Sequence, residues 1–161
     1  MKLFQKIGLI AIASIAIVGC GGGGTPDFSI YNDEDIVGTW EQRLTEPEGE
    51  EGCLIITVKF NSDGTAKSNL KRYDDNNCSI NEDLQEDNFT YTLGEIRRDF
   101  DGNEARELNT INDDDTHQYS MYKFDNNKLR ISKKEVGGRD GSTEAKRANK
   151  FDPKFLIFNK K

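Results

Sequence analysis

The chain has 161 residues and a formal net charge of −7 at pH 7, with 29 acidic against 22 basic side chains. That length fits one ordinary domain, and the acidic balance excludes nucleic acid and anionic lipid headgroups as electrostatic partners. The sequence contains one histidine, His117, and no nucleophile elbow, phosphate loop or Cys/His dyad. We therefore predict that the protein is not an enzyme and holds neither a cofactor nor a metal ion.

Residues 1–19 have the three parts of a secretory signal: Lys2 and Lys6 near the start, an apolar stretch from 7 to 18, and a small residue, Gly19, at the end. The apolar stretch is about a dozen residues, whereas a membrane-spanning helix needs roughly 20. A cleaved signal peptide is thus favoured over a transmembrane helix.

The run from Ile17 to Cys20, Ile-Val-Gly-Cys, resembles a bacterial lipobox. The resemblance implies that Cys20 is acylated and becomes the first residue of the mature protein, anchored to the membrane by its lipid. The alternative is an ordinary cleaved signal that leaves Cys20 as a free thiol. Gly21 stands where many similar inner-membrane lipoproteins carry Asp, so the expected location is the bacterial cell envelope, at the outer membrane.

Residues 20–35 are rich in Gly, Asp, Asn, Ser and Thr, which is typical of a flexible tether. The folded domain is expected to span residues 36–161, where the apolar pattern has a period near two. This pattern predicts eight strands, at 38–45, 53–60, 65–73, 88–93, 104–111, 116–124, 128–134 and 155–158. Residues 143–150 look weakly helical, within a loop at 136–152.

The predicted strands are joined mostly by short turns rich in Asn, Asp and Gly, such as Asn61–Gly64 and Asp125–Asn127. Such a series favours an antiparallel meander, and a sheet of this length removes its exposed edges most simply by closing. We expect an all-β fold, an eight-stranded antiparallel up-and-down barrel.

The first predicted strand opens with Ile36-Val37-Gly38-Thr39-Trp40, which is similar to the Gly-x-Trp opening of lipocalins and of lipocalin-like bacterial lipoproteins. The hairpin from Phe60 to Thr65, Phe-Asn-Ser-Asp-Gly-Thr, resembles one common in the bacterial group. The resemblance implies the same barrel, with Trp40 plugging one end. It also implies an arginine over that ring, for which Arg147 and Arg130 are the candidates by position.

Assigning Cys20 to acylation leaves Cys53 and Cys78 in an oxidising compartment. We therefore predict a disulfide between them. A metal site built on this pair is not expected, because the lone His117 has no ligand spacing around it.

Four aromatic residues are candidates for the lining of a ligand pocket: Trp40, Tyr91, Tyr122 and Phe124. They are also natural core residues. Two predicted strands offer mainly small or polar inward groups, such as Ala66, Ser68 and Thr110, so we expect a gap in the barrel that could take one small apolar ligand.

The rival hypothesis is a protein-interaction module without a small-molecule ligand. Acidic and amide runs at 74–77 and 112–115 fit no calcium-binding loop and are interpreted as solvated turns. In this second hypothesis, acidic loops of that kind bind a basic partner, as inhibitors of basic envelope enzymes such as lysozyme do.

Overall fold

The computed structural model describes residues 35–45, 52–134 and 138–161, and of residues 81 and 82 only the backbone. The predicted signal segment, Cys20 and nearly all of the predicted tether lie outside these residues. The described chain forms a closed antiparallel barrel of eight strands in sequential order, in which β8 pairs with β1. The predicted fold class is confirmed. The strands are β1 (Gly38–Thr45), β2 (Cys53–Phe60), β3 (Thr65–Tyr73), β4 (Asn81–Arg98), β5 (Glu104–Asn112), β6 (His117–Asp125), β7 (Lys128–Ile131) and β8 (Ile157–Lys160).

The period-two pattern decides which side chains fill the barrel. In β2 the alternate side chains of Leu54, Ile56, Val58 and Phe60 are all buried, while Lys59 between them is exposed. This alternation is expected when one face of a strand packs on the core and the other meets water.

Strand β4 is much longer than the sequence pattern predicted. It spans 18 residues, Asn81–Arg98, where only residues 88–93 alternate clearly. Its first half is polar on both faces, so no hydrophobic period marks it. Its second half contains a register shift between Leu93 and Ile96. A Cβ at Gly94 within this bulge would overlap the Glu107 carboxylate of β5, so a larger residue there would require that carboxylate to move.

The antiparallel order places the connections at two ends of the barrel. The turns at 61–64, 99–103 and 126–127 and the start of β1 share one end, which we call the closed end. The loops at 74–80 and 113–116 share the other, which we call the open end. Asn126 and Asn127 both have positive φ, 50° and 62°, as a two-residue hairpin turn requires.

The chain between β7 and β8 folds back over the outside of the barrel. Ser132 Oγ donates to the Ala148 carbonyl at 2.8 Å, and the Ala148 N–H donates to the Tyr119 carbonyl at 3.0 Å. Phe151 joins Ala105 and Met121 in a small second core on the outer face. The weak helical pattern at 143–150 corresponds to a single 3₁₀ turn, Glu144–Lys146. No helix in the described chain is long and apolar enough to cross a membrane.

Candidate binding site at the open end

The four aromatic side chains predicted as ligand contacts lie toward the closed end, in contact with other rings. The rings of Trp40 and Phe124 are 5.6 Å apart between centroids, and those of Tyr122 and Phe124 are 5.9 Å apart. Tyr91 lies instead against Phe60, at 5.0 Å. Three of the four rings therefore contact one another in sequence, while Tyr91, in the same hydrophobic core, packs on Phe60 instead.

The polar atoms of two of these rings are already satisfied within the chain. The indole N–H of Trp40 donates to the Ile36 carbonyl at 2.7 Å, and the Tyr91 hydroxyl donates to the Asn61 carbonyl at 2.7 Å. Trp40, Tyr91 and Tyr122 are buried, whereas Phe124 is 38% exposed. The geometry is that of a packed core, and a ligand role for these residues stays a prediction.

A lysine, rather than either candidate arginine, covers the Trp40 ring. Lys160 of β8 has its Nζ 5.4 Å from the ring centroid of Trp40. Arg147 lies on the outer face of the barrel, where it donates to the Ser120 carbonyl at 3.0 Å and contacts Glu107. Arg130 donates to the Asp152 carbonyl at 2.9 Å. The expectation of an arginine over Trp40 is therefore wrong, because both are held elsewhere by the segment that crosses the outer face.

The open end contains a cavity of about 260 Å³ that none of the four aromatic residues lines. Its walls come from β3, from the middle of β4, from the end of β5 and from the loop that follows β5. The lining consists of polar and acidic side chains and one aromatic ring, namely Ser68, Glu86, Asp87, Asn88, Phe89, Asn112, Asp113 and Asp114.

The cavity forms because neighbouring strands have different lengths. Strand β4 pairs with β3 as far back as Asn81, but its pairing with β5 begins only at Phe89, opposite Asn112. The chain then leaves β5 through the 113–116 loop, which opens a gap beside the first half of β4. Ser68, one of the small inward groups expected to leave a gap, does line this space.

The lining is rich in carboxylates. Asp87 and Glu86 come from β4, and Asp113 and Asp114 from the loop after β5. Glu86 is partly neutralised by Lys67, whose Nζ lies 2.9 Å from Glu86 Oε1 with both side chains about half exposed. Such an exposed pair contributes little to stability. One lysine against four carboxylates leaves the cavity with a net negative charge.

The loop between β3 and β4, at the same end of the barrel, contains another carboxylate. The hydroxyl of Ser79 and the N–H of Ile80 donate to the Asp75 carboxylate, at 2.6 and 3.0 Å, and these hydrogen bonds lower the pKa of Asp75 to about 2. Asp75 is therefore ionised at neutral pH. This loop is also tied to β2 by the Cys53–Cys78 disulfide, which confirms the predicted pairing.

The acidic groups do not form a metal cage in the part of the chain that the structure describes. No three side chains of the His, Cys, Asp and Glu types come close enough there to hold a metal ion together. Carboxylates can pair with an organic cation, such as a lysine or arginine side chain, through charge-assisted hydrogen bonds.

Comparison of the chain with protein-family models, with curated proteins and with solved structures finds no match. Inference about function therefore rests on the site itself.

The sequence contains a signal for this site in two polar stretches. The residues at 112–115 predict a solvated turn, and the polar stretch before Asn88 predicts no strand. These two stretches become neighbours only because β4 extends back to Asn81. The extension comes from main-chain pairing with β3, which produces no pattern of apolar residues in the sequence.

Proposed function

We propose that this protein is a lipid-anchored envelope protein whose barrel binds a basic region of a partner protein at the acidic open end. The observation that carries this proposal is the lining of the cavity, which includes four acidic residues and one aromatic residue, Phe89. A cationic side chain in such a site gains charge-assisted hydrogen bonds, and its apolar stem can pack on Phe89.

The surface beside the cavity supports a protein partner. Leu84, two residues before Glu86 of the lining, is 46% exposed. It offers a partner an apolar contact beside the carboxylates.

A small apolar ligand remains the rival occupant. It is less well supported, because the rings expected to hold it contact one another and two of them use their polar atoms within the chain. The anchoring part of the proposal rests on the lipobox-like run that ends at Cys20. Cys20→Ala is expected to abolish labelling by a palmitate analogue in cells.

The binding test uses the full chain, purified from membranes, with lysozyme and an oligolysine peptide as basic probes. Asp113→Asn with Asp114→Asn should weaken binding about tenfold, since each removes a charge from the cavity wall. The matched control is Asp101→Asn with Glu104→Gln, two exposed acids at the closed end. It removes the same charge and should change the affinity by less than about twofold.

The affinity for either probe should also fall as salt is added. Two results would contradict the proposal: equal effects of the two charge-removing variants, or no binding of either probe. A thermal shift by fatty acids, together with no binding of the basic probes, would instead establish the apolar carrier.

A further inference from the structure

The first half of β4 has one hydrogen-bonding side without a partner strand in the described chain. Residues 81–90 of β4 pair with β3, but pairing with β5 covers only the part of β4 from Phe89 onward. A stretch of eight residues, 81–88, therefore forms an open sheet edge at the rim of a barrel that is otherwise closed.

The direction of each peptide group on this edge follows from one hydrogen bond. The Tyr91 N–H donates to the Gly64 carbonyl at 2.8 Å, on the β3 side. In an antiparallel pair, successive residues alternate between bonding to the partner and pointing away from it. Odd-numbered residues of this stretch therefore bond to β3, and the peptide groups of Leu84, Glu86 and Asn88 point outward along the open edge.

The same parity holds where β5 is present. Since peptide groups alternate in direction along a strand, the even-numbered Thr90 and Thr92 direct theirs toward β5, which runs beside them. The open edge is thus the direct continuation of the ladder that β5 uses, and a strand placed there would continue the sheet without changing β4.

The side chains along the edge indicate which kind of strand would fit. Natural proteins commonly protect an exposed edge with charged side chains, proline or a covering loop. This edge carries three acids, Asp83, Glu86 and Asp87, and the half-exposed Leu84. Lys67 of β3 pairs with Glu86, and Arg72 lies opposite Asp83. Asp87, in contrast, lies opposite Ser68 in the β3 register. A second copy of the same edge would be repelled by like charge, whereas an extended segment with alternating basic and apolar residues would be attracted.

We propose that an extended basic segment of the partner protein adds to residues 81–88 of β4 as a further strand, in the place that β5 leaves vacant. This inference rests on the proposed function and names its binding mode. Main-chain hydrogen bonds to Leu84, Glu86 and Asn88 would hold the segment, and the cavity carboxylates at the end of the edge would select its basic side chains.

The decisive variant is Leu84→Pro, because it removes one outward N–H and leaves the ladder to β3 intact. Its control, Leu84→Ala, removes the same side chain but keeps the N–H. The probe is an acetylated octapeptide of alternating lysine and valine, added to the full chain. We expect the proline variant to weaken binding about tenfold and the alanine variant by less than about threefold.

A second measurement does not depend on any variant. Hydrogen exchange at the amides of Leu84 and Glu86 should slow when the octapeptide binds, while that of Gln85, already bonded to β3, should change little. Equal affinities of the two Leu84 variants, or unchanged exchange at Leu84 and Glu86, would overturn the strand-addition proposal.

The outcomes separate this proposal from the function it rests on. If the Asp113 and Asp114 variant weakens binding but Leu84→Pro behaves like Leu84→Ala, the basic partner site stands and the strand addition fails. If neither oligolysine nor the octapeptide binds, both fail. If native mass spectrometry shows a dimer that Leu84→Pro abolishes, the edge serves a second copy and the strand addition to a partner is wrong.

Discussion

The two ends of this barrel differ in the side chains that occupy the interior. The interior toward the closed end is filled by large rings and branched aliphatic side chains that contact one another, including Trp40, Phe60 and Phe158. The open end has polar inward positions, such as Ser68 and Asp87, and keeps a cavity. A closed ladder of strands therefore does not by itself give a filled interior, because the volume of the inward side chains decides where the barrel is solid and where a cavity is left.

The largest expected effect is at the filled end. Tyr122→Ala should lower the free energy of unfolding by about 3–5 kcal/mol, because Tyr122 is among the largest fully buried side chains and its removal leaves a cavity. The control is Asn112→Ala on the cavity wall, expected to cost less than about 1 kcal/mol. Urea unfolding of both variants measures the difference. A cost below about 1 kcal/mol for Tyr122→Ala would show that the interior around it is not solid.

A slightly smaller effect is expected at the open end, from the disulfide. It closes 25 residues of chain and holds the loop at 74–80 against the start of β2. Replacing both cysteines, Cys53→Ser with Cys78→Ser, should lower the free energy of unfolding by roughly 3–4 kcal/mol in the chain-entropy model.

Hydrogen exchange distinguishes an effect of the disulfide on the loop at 74–80 from an effect on the whole barrel. Hydrogen exchange in the loop at 74–80 should accelerate more than exchange in β2 when the cysteines are replaced. Free thiols in protein isolated from the envelope would contradict the bond, and uniform acceleration across the barrel would contradict a role specific to the open end.

The smallest effect concerns Asp75, which holds the same loop. Its pKa is lowered from 3.8 to about 2, first by the hydrogen bond from the Ser79 hydroxyl and then by the N–H of Ile80. A lowered folded-state pKa means that the stabilisation is complete above pH 4 and is lost as the pH falls toward 2. We therefore expect exchange at the Ser79 and Ile80 amides to accelerate, relative to its intrinsic rate, between pH 4 and pH 2.

The neighbouring acid provides the control for this pH dependence. Asp75→Asn should already show the accelerated exchange at neutral pH and lose most of the dependence below pH 4. Asp74→Asn, at an exposed side chain beside it, should behave like the unmodified protein. An unchanged Asp75→Asn profile would mean that the carboxylate does not hold the loop.

The fold was predictable where apolar residues alternate and turn residues are distinctive. Strand β2 and the turn at Asn61–Gly64 follow directly from their own residues, and so does the disulfide once Cys20 is set aside. Strand β4 and the candidate site were not predictable in the same way. The ladder between β3 and β4 is a main-chain property that leaves no apolar period in residues 81–87, and the cavity depends on where β5 stops relative to β4.

The position of β1 has a geometric consequence for the whole molecule. The chain reaches the barrel at Asp35 and Ile36, at the closed end, on the side opposite the acidic rim. The proposed anchor at Cys20 is therefore joined to the barrel through its closed end. A partner at the acidic open end would bind on the side of the barrel away from that junction.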